Sequence, residues 1–213
     1  MPLWFYEDAT LTLSYVGHAE SAGTASSYTF TYTFSTANAN RHLIAGVAFQ
    51  SASSLTVAVS IGGVSATPIG TKIGTTGNAE MAFFYAVVPT NTTQTVVVTF
   101  SGGNAVQCGC GLYDLEGVTV LNDSMTTSTG LLTATLNVPA GGAVLGIDFA
   151  SGSSQSHSWT GITLDYTANV FSANWQYSGA HGNFATGNSS LTVTDTVGGT
   201  ISSRAGAIIL FSP

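Results

Sequence analysis

Charge is what this sequence most lacks. Of its 213 residues, 6% are charged, against roughly 25% in an ordinary soluble domain. Three residues are basic, Arg41, Lys72 and Arg204, ten are acidic, and the formal net charge is −7. That balance excludes a phosphate-binding surface, which needs clustered Lys and Arg, so no nucleic-acid partner is expected. Cysteine is scarce as well, with two in the chain. At this length about 70% of the unfolded surface can be buried, so neither a disulfide nor a metal staple is needed for folding. No apolar run approaches the ~20 residues of a membrane span, and no membrane partner is expected. The opening MPLWFYEDAT has no basic residue and is interrupted by Glu7 and Asp8. It does not read as a secretory signal, and the expectation is a protein folded in a cytoplasm. Also missing are convincing helical periodicity, a phosphate loop, a dinucleotide fingerprint and the Gly-x-Ser-x-Gly elbow; Gly63-Val-Ser65-Ala-Thr67 lacks the last glycine.

What is present is alternation. Tyr28, Phe30, Tyr32 and Phe34 are separated by three threonines, the pattern of a half-buried antiparallel strand. Leu55-Thr-Val-Ala-Val-Ser-Ile61 repeats it and runs into the turn Gly62-Gly63. The first confident strand starts near Leu11. Others are expected at 43–49, 79–88, 94–100, 105–115, 131–138, 143–149, 159–165, 190–196 and 204–211. Short linkers of Gly, Ser, Asn and Pro join them. Many short strands at this spacing predict an all-β protein: an antiparallel, jelly-roll-like β-sandwich of about twelve strands. Ser, Thr, Asn, Ala and Gly replace the missing charge. Such a surface suits contact with other proteins, since few charges need desolvating; it also suits an extracellular coat.

The halves of the chain resemble each other at an offset of about a hundred residues. NRHLIAGVAFQSAS, VSIGGVSATPIG and TVVVTFSGGNAVQCGCGLYDLEG answer to GGAVLGIDFASGS, WTGITLDYTANV and LTVTDTVGGTISSRAGAIILFSP. No Pro-, Gly- or charge-rich joint divides them; a Ser/Thr-rich loop is expected around 117–130. The expected organisation is an N-terminal arm or edge strand at 1–10 and one sandwich domain at 11–213, with half-repeats at about 28–117 and 131–213. The repeat sets Arg204-Ala-Gly-Ala207 on Gln107-Cys-Gly-Cys110. Two residues apart, both thiols share a strand face. They are poorly placed for a disulfide and read as small packing residues.

Chemistry is thinly represented. Asp114 and Glu116 share a face at a strand end and either bind a cation or solvate a turn. Asp148 reads as either a buried polar anchor or an outward residue, and Asp165 and Asp195 read as outward or edge residues. His18, His42, His157 and His181 lack ligand spacing. No catalytic, cofactor or metal residue is therefore assigned, and an enzyme is not expected. Sequons at Asn91, Asn122 and Asn188 are what a Ser/Thr-rich chain yields by chance. Two contact surfaces are candidates. Among His157, Trp159, Tyr166, Trp175, Tyr177 and His181, the rings of Trp159, Trp175 and Tyr177 either stack on a glycan or fill the core. The bulky run Leu3-Trp4-Phe5-Tyr6 is either an edge strand or an arm that docks on a partner.

Specific features of the first half resemble a recurrent β-sandwich module of bacterial exported proteins and phage structural proteins. They are Asn40-Arg-x-Leu-Ile44, Val59-x-Ile-Gly-Gly63, the aromatic stretch Phe83 to Pro89, and Thr95-Val-Val-Val-Thr-Phe-Ser-Gly102. The resemblance extends weakly through the second half and implies a jelly-roll-like scaffold without catalytic residues. A short chain without an export signal looks most like a virion component: a capsid decoration or cement protein, a head fibre or a tail accessory protein. The implied partners are capsid or tail proteins and further copies of the chain, cyclic trimers among the expected forms. The implied location is a virion assembled in the host cytoplasm. The alternative is a carbohydrate- or receptor-binding module.

Overall fold

The computed structural model describes residues 10–34, 37–74, 78–117, 123–170 and 174–213. Leu3, Trp4, Phe5 and Tyr6, read as an edge strand or a docking arm, lie outside them. Among the described residues every regular element is a strand. In chain order these are β1 (Thr12–Ser21), β2 (Ser27–Thr33), β3 (His42–Ser51), β4 (Thr56–Ile61) and β5 (Val64–Ser65). Then come β6 (Thr67–Gly74), β7 (Glu80–Val87), β8 (Thr93–Ser101), β9 (Ala105–Glu116) and β10 (Asp123–Ser128). The last are β11 (Leu132–Val138), β12 (Gly142–Thr160), β13 (Thr163–Asn169), β14 (Trp175–Phe184) and β15 (Asn188–Phe211).

All pairings are antiparallel, and the chain is an all-β sandwich protein. The first half forms an inner sheet, β1-β9-β3-β7-β6, and an outer sheet, β2-β8-β4-β5. The second forms an inner sheet in the order β10-β15-β12-β14-β13, which matches the first position for position. Its outer layer is not a separate sheet. The distal half of β12 and the first half of β15 stay paired from Ser156↔Gly198 to Thr160↔Thr194, and β11 joins β15 from Leu132↔Asp195 onward. This ribbon folds back over its own inner sheet: Trp159 at its far end lies against Gly146, where an added Cβ would meet the indole at 2.3 Å.

Three hydrophobic clusters fill the resulting four-layer stack. Tyr28, Phe30, Tyr32 and Phe34 pack with Leu43, Ala45, Val47 and Phe49 between outer and inner sheets of the first half. Ile44, Phe83 and Tyr113 meet Leu145, Ile147 and Phe149 between the two inner sheets. Leu132, Trp159, Leu191 and Val193 meet Val144, Ile208 and Leu210 under the ribbon. The central inner strands are thus covered on both faces, which is why His42 to Phe49 of β3 is buried without a break and reads as a nearly continuous apolar run.

Several expectations are corrected by this arrangement. The segments at 190–196 and 204–211 are two ends of one strand, β15, and 143–149 continues to Thr160 in β12. Part of the expected loop at 117–130 is the edge strand β10, and β14 was not anticipated. The stack has four layers, because each half closes its own pair. The halves also align one residue differently on the inner sheet. Cys108 and Cys110 point into the core of the first half, but Ala205 and Ala207 point between the inner sheets. The residues facing the second half's own core are Arg204 and Gly206. A one-residue slip in register exchanges faces.

Candidate functional site

That slip places a charged group inside the second half. Asp148 on β12 and Arg204 on β15 face the ribbon, and His157 and Asp195 on the ribbon face back. All four are buried. The Arg204 guanidinium donates from Nε to Asp148 Oδ2 at 2.7 Å, and from one terminal nitrogen to Asp195 Oδ2 at 3.2 Å and to the Asp195 carbonyl at 2.9 Å. His157 Nδ1 lies 2.7 Å from Asp195 Oδ2 and 3.7 Å from Asp148 Oδ2. Asp195 Oδ1 accepts from the Ser158 amide at 3.2 Å. Gly206, opposite Asp148, leaves room that an added Cβ would fill at 2.4 Å from Asp148 Oδ1. Of the two readings of Asp148 the buried anchor is the one observed, and Asp195, read as outward or at an edge, is buried as well, because the inner sheet and the ribbon cover each other and leave no outward face there.

Burial is the main influence on Asp148 and raises its pKa well above the ordinary value, against the lowering effect of Arg204. Asp195, as a second acceptor and negative charge, adds to the rise. Asp148, His157 and Asp195 have donor atoms within 4.8 Å of one another, a spacing a metal ion could use. The guanidinium already bridges both carboxylates, so a cation is in place. The quartet is well satisfied apart from Asp148 Oδ1 and His157 Nε2, which have no hydrogen-bond partner. It is closed to a substrate and works as a polar clasp between sheet and ribbon.

A second polar cluster sits between the inner sheets near β1. Asp165 accepts from Tyr113 Oη at 2.9 Å and lies 2.8 Å from His181 Nδ1. Tyr177 donates to Glu20 at 2.9 Å. Tyr15 bonds His18, and both rings stack on Tyr166 at 5.4 and 4.6 Å. Burial, then the charges of Asp165 and Glu20, pushes Tyr15 up to about 12, so the cluster holds neutral phenols at ordinary pH. Asp165, expected outward, is drawn in by these two partners, with 7% of its side chain exposed.

The glycan candidates separate. Trp159 is buried, its indole N–H donating to Ser178 Oγ at 2.9 Å. Tyr177 is fully buried. Neither has a face to offer a sugar, because each fills a core between layers. Trp175 is different: half-buried, it rests on Phe149 with ring centres 5.5 Å apart and borders an open hollow of about 390 Å³. Cys108 and Cys110 are buried free thiols. Burial pushes Cys110 up to about 12, which leaves it an inert packing group. Asp114 and Glu116 border a hollow of about 290 Å³ with Ser14 and Thr33. Burial and then the Glu116 charge push Asp114 up to about 6.

All three cations of the chain are used internally. Arg41 is fully buried and lies over the Phe34 ring. It donates to the carbonyls of Val88, Thr90 and Asn91, so the Asn-Arg motif fastens the turn after β7. Lys72 pairs with buried Glu80, and Arg204 serves the clasp. No family model matches the chain, and no curated protein matches it.

Proposed function

We propose that this protein acts by contact, as a non-enzymatic structural module in a larger assembly, and that the assembly is a tailed-phage virion. The observation that carries the reading is the chemistry of the two outer faces. On the first outer sheet, Thr29, Thr31 and Thr33 of β2 stand exposed beside Thr93, Thr95 and Thr99 of β8. On the ribbon, Thr133 and Thr135 of β11 face Thr194 and Thr192 of β15, with hydroxyls 2.7 and 3.4 Å apart. With Arg41, Glu80, Asp148, Asp195 and Arg204 buried, these faces carry hydroxyls in place of charges. Two such surfaces on the two outer layers of the stack can be covered by neighbours without desolvating ions. The virion itself rests on the sequence resemblance, and capsid or tail proteins are the partners it implies.

The test is the mass in solution by light scattering, followed by imaging of the particle. A closed homo-oligomer is expected, a multiple of 21.7 kDa, because most soluble homo-oligomers close symmetrically. Lysines introduced as Thr31→Lys with Thr95→Lys, or as Thr135→Lys with Thr192→Lys, are expected to dissociate it through one face. A single-chain mass at all concentrations, combined with absence of the chain from every particle component, rejects the reading.

A further inference from the structure

The crease where the ribbon leaves its inner sheet carries a feature that assembly through the outer faces does not use. Two hollows adjoin there and share Ser202. One, of about 240 Å³, is bordered by Asn78, Thr129 and Ser202. The other, of about 390 Å³, is bordered by Ser202, Thr200, Asn174 and Trp175. The larger falls within the range of small-ligand clefts, roughly 300–1,000 Å³. Among the described residues bordering either hollow, Arg204 is the ionisable one, and its guanidinium is turned inward to Asp148 and Asp195.

The trough is built rather than incidental. Ser151 and Ser203 share a hydrogen bond at 2.7 Å, and the Ala79 amide donates to Ser203 Oγ at 2.9 Å. The Gly152 amide donates to the Asn174 carbonyl at 2.9 Å. Gln155 Nε2 donates to the Thr200 carbonyl at 3.0 Å. Strands β12 and β15 and the residues leading into β7 and β14 are thereby tied at this one place. Gly152 permits the crease, since an added Cβ would lie 1.7 Å from the Thr200 carbonyl oxygen.

The geometry points to a binding site for a neutral oligosaccharide, with Trp175 as its platform. An indole offers an apolar face to the C–H side of a pyranose ring. The hydroxyls of Thr129, Thr200 and Ser202 and the amides of Asn78 and Asn174 can exchange hydrogen bonds with sugar hydroxyls. A phosphate, carboxylate or ammonium ligand finds no opposite charge here and loses its hydration without return.

The experiment is calorimetry and a glycan array on the intact chain. The probes are maltotetraose, cellotetraose, chitotetraose and mannotetraose, with sialylated and sulfated glycans as controls. At least one neutral probe is expected to bind at roughly millimolar affinity or better, and binding is expected to persist between about 0.05 and 0.5 M salt. Trp175→Ala is expected to weaken it about tenfold or more, and Trp175→Phe to retain part of it. If Trp175→Ala lowers the melting temperature, Asn78→Ala, at the exposed far hollow, decides by the same loss of affinity. No binding from the neutral panel, binding that survives both Trp175→Ala and Asn78→Ala, or preference for the charged glycans overturns the assignment.

Discussion

The two halves share one wiring and differ in what fills it. On the first half's inner sheet Val47 pairs with Cys110 and Phe49 with Cys108. The corresponding pairs on the second are Asp148 with Gly206 and Ala150 with Arg204. On the outer layers Val57 and Val59 stand where His157 and Trp159 do, and Val98, paired with Val59, where Asp195 does. One core is apolar at the positions where the other holds two carboxylates, a guanidinium and an imidazole. The connections differ too. In the first half β3 ends at Ser51 and β4 starts at Thr56, so the outer sheet is a separate piece. In the second, β12 and β15 run through without a break. Directional ion pairs fix one register where apolar side chains tolerate several. The difference teaches that the second half uses buried charge where the first uses apolar packing to hold its layers together.

The largest contrast is expected from breaking each core at one point. Arg204→Ala strands two buried carboxylates and should cost about 3–5 kcal/mol of unfolding free energy in urea. Val98→Ala in the apolar core should cost about 1–3 kcal/mol. Equal losses would mean that the two cores are held alike.

The crease gives the next contrast. Gly152 and Gly103 have nearly the same φ, +153 and +152. An added Cβ at Gly152 meets a backbone carbonyl at 1.7 Å, whereas at Gly103 it meets the movable Ser53 hydroxyl at 2.6 Å. Gly103→Ala should cost about 1 kcal/mol, the backbone penalty alone, and Gly152→Ala about 2–3 kcal/mol, read from thermal or urea unfolding.

Much of the first half was legible in the sequence because its outer strands have one wet face. Tyr28 to Phe34 alternates, and those rings are buried while the threonines are exposed. The second half was harder to read. Strand β14, WQYSGAHGNF, is buried over its middle and carries two glycines, so it shows no alternation. Asp148 and Asp195 follow the usual association of acids with the outside until a facing layer is known to be there. His157 and Arg204 lie 47 residues apart in sequence, and only the fold-back brings them to the same carboxylates. The glycan candidates had the same problem: periodicity cannot distinguish a Trp that plugs a layer, Trp159, from one at an open rim, Trp175.

A smaller effect concerns pH. The folded state holds a proton on Asp114 up to about 6, above the ordinary 3.8. A raised carboxylate favours the folded state at low pH, and that gain is lost as pH rises from about 4 through about 6. Asp114 is partly exposed, so screening limits the change to under about 1 kcal/mol. Asp148 is raised in the same direction in the other half. Asp114→Asn should therefore flatten part of the decline in the unfolding midpoint between pH 4 and 7, and leave the part due to the clasp. A midpoint that rises across this window would reverse the sign.

The most direct test of the clasp as an architectural device is to give the second core the character of the first. The variant combines Asp148→Val, His157→Val, Asp195→Val and Arg204→Met, and its urea unfolding free energy is compared with that of the parent and of Arg204→Ala. The account predicts a value within about 1.5 kcal/mol of the parent or above it, because well-packed apolar groups can replace a buried ion network. It also predicts an unchanged solution mass. A fourfold variant as unstable as Arg204→Ala, or one that no longer assembles, would contradict it.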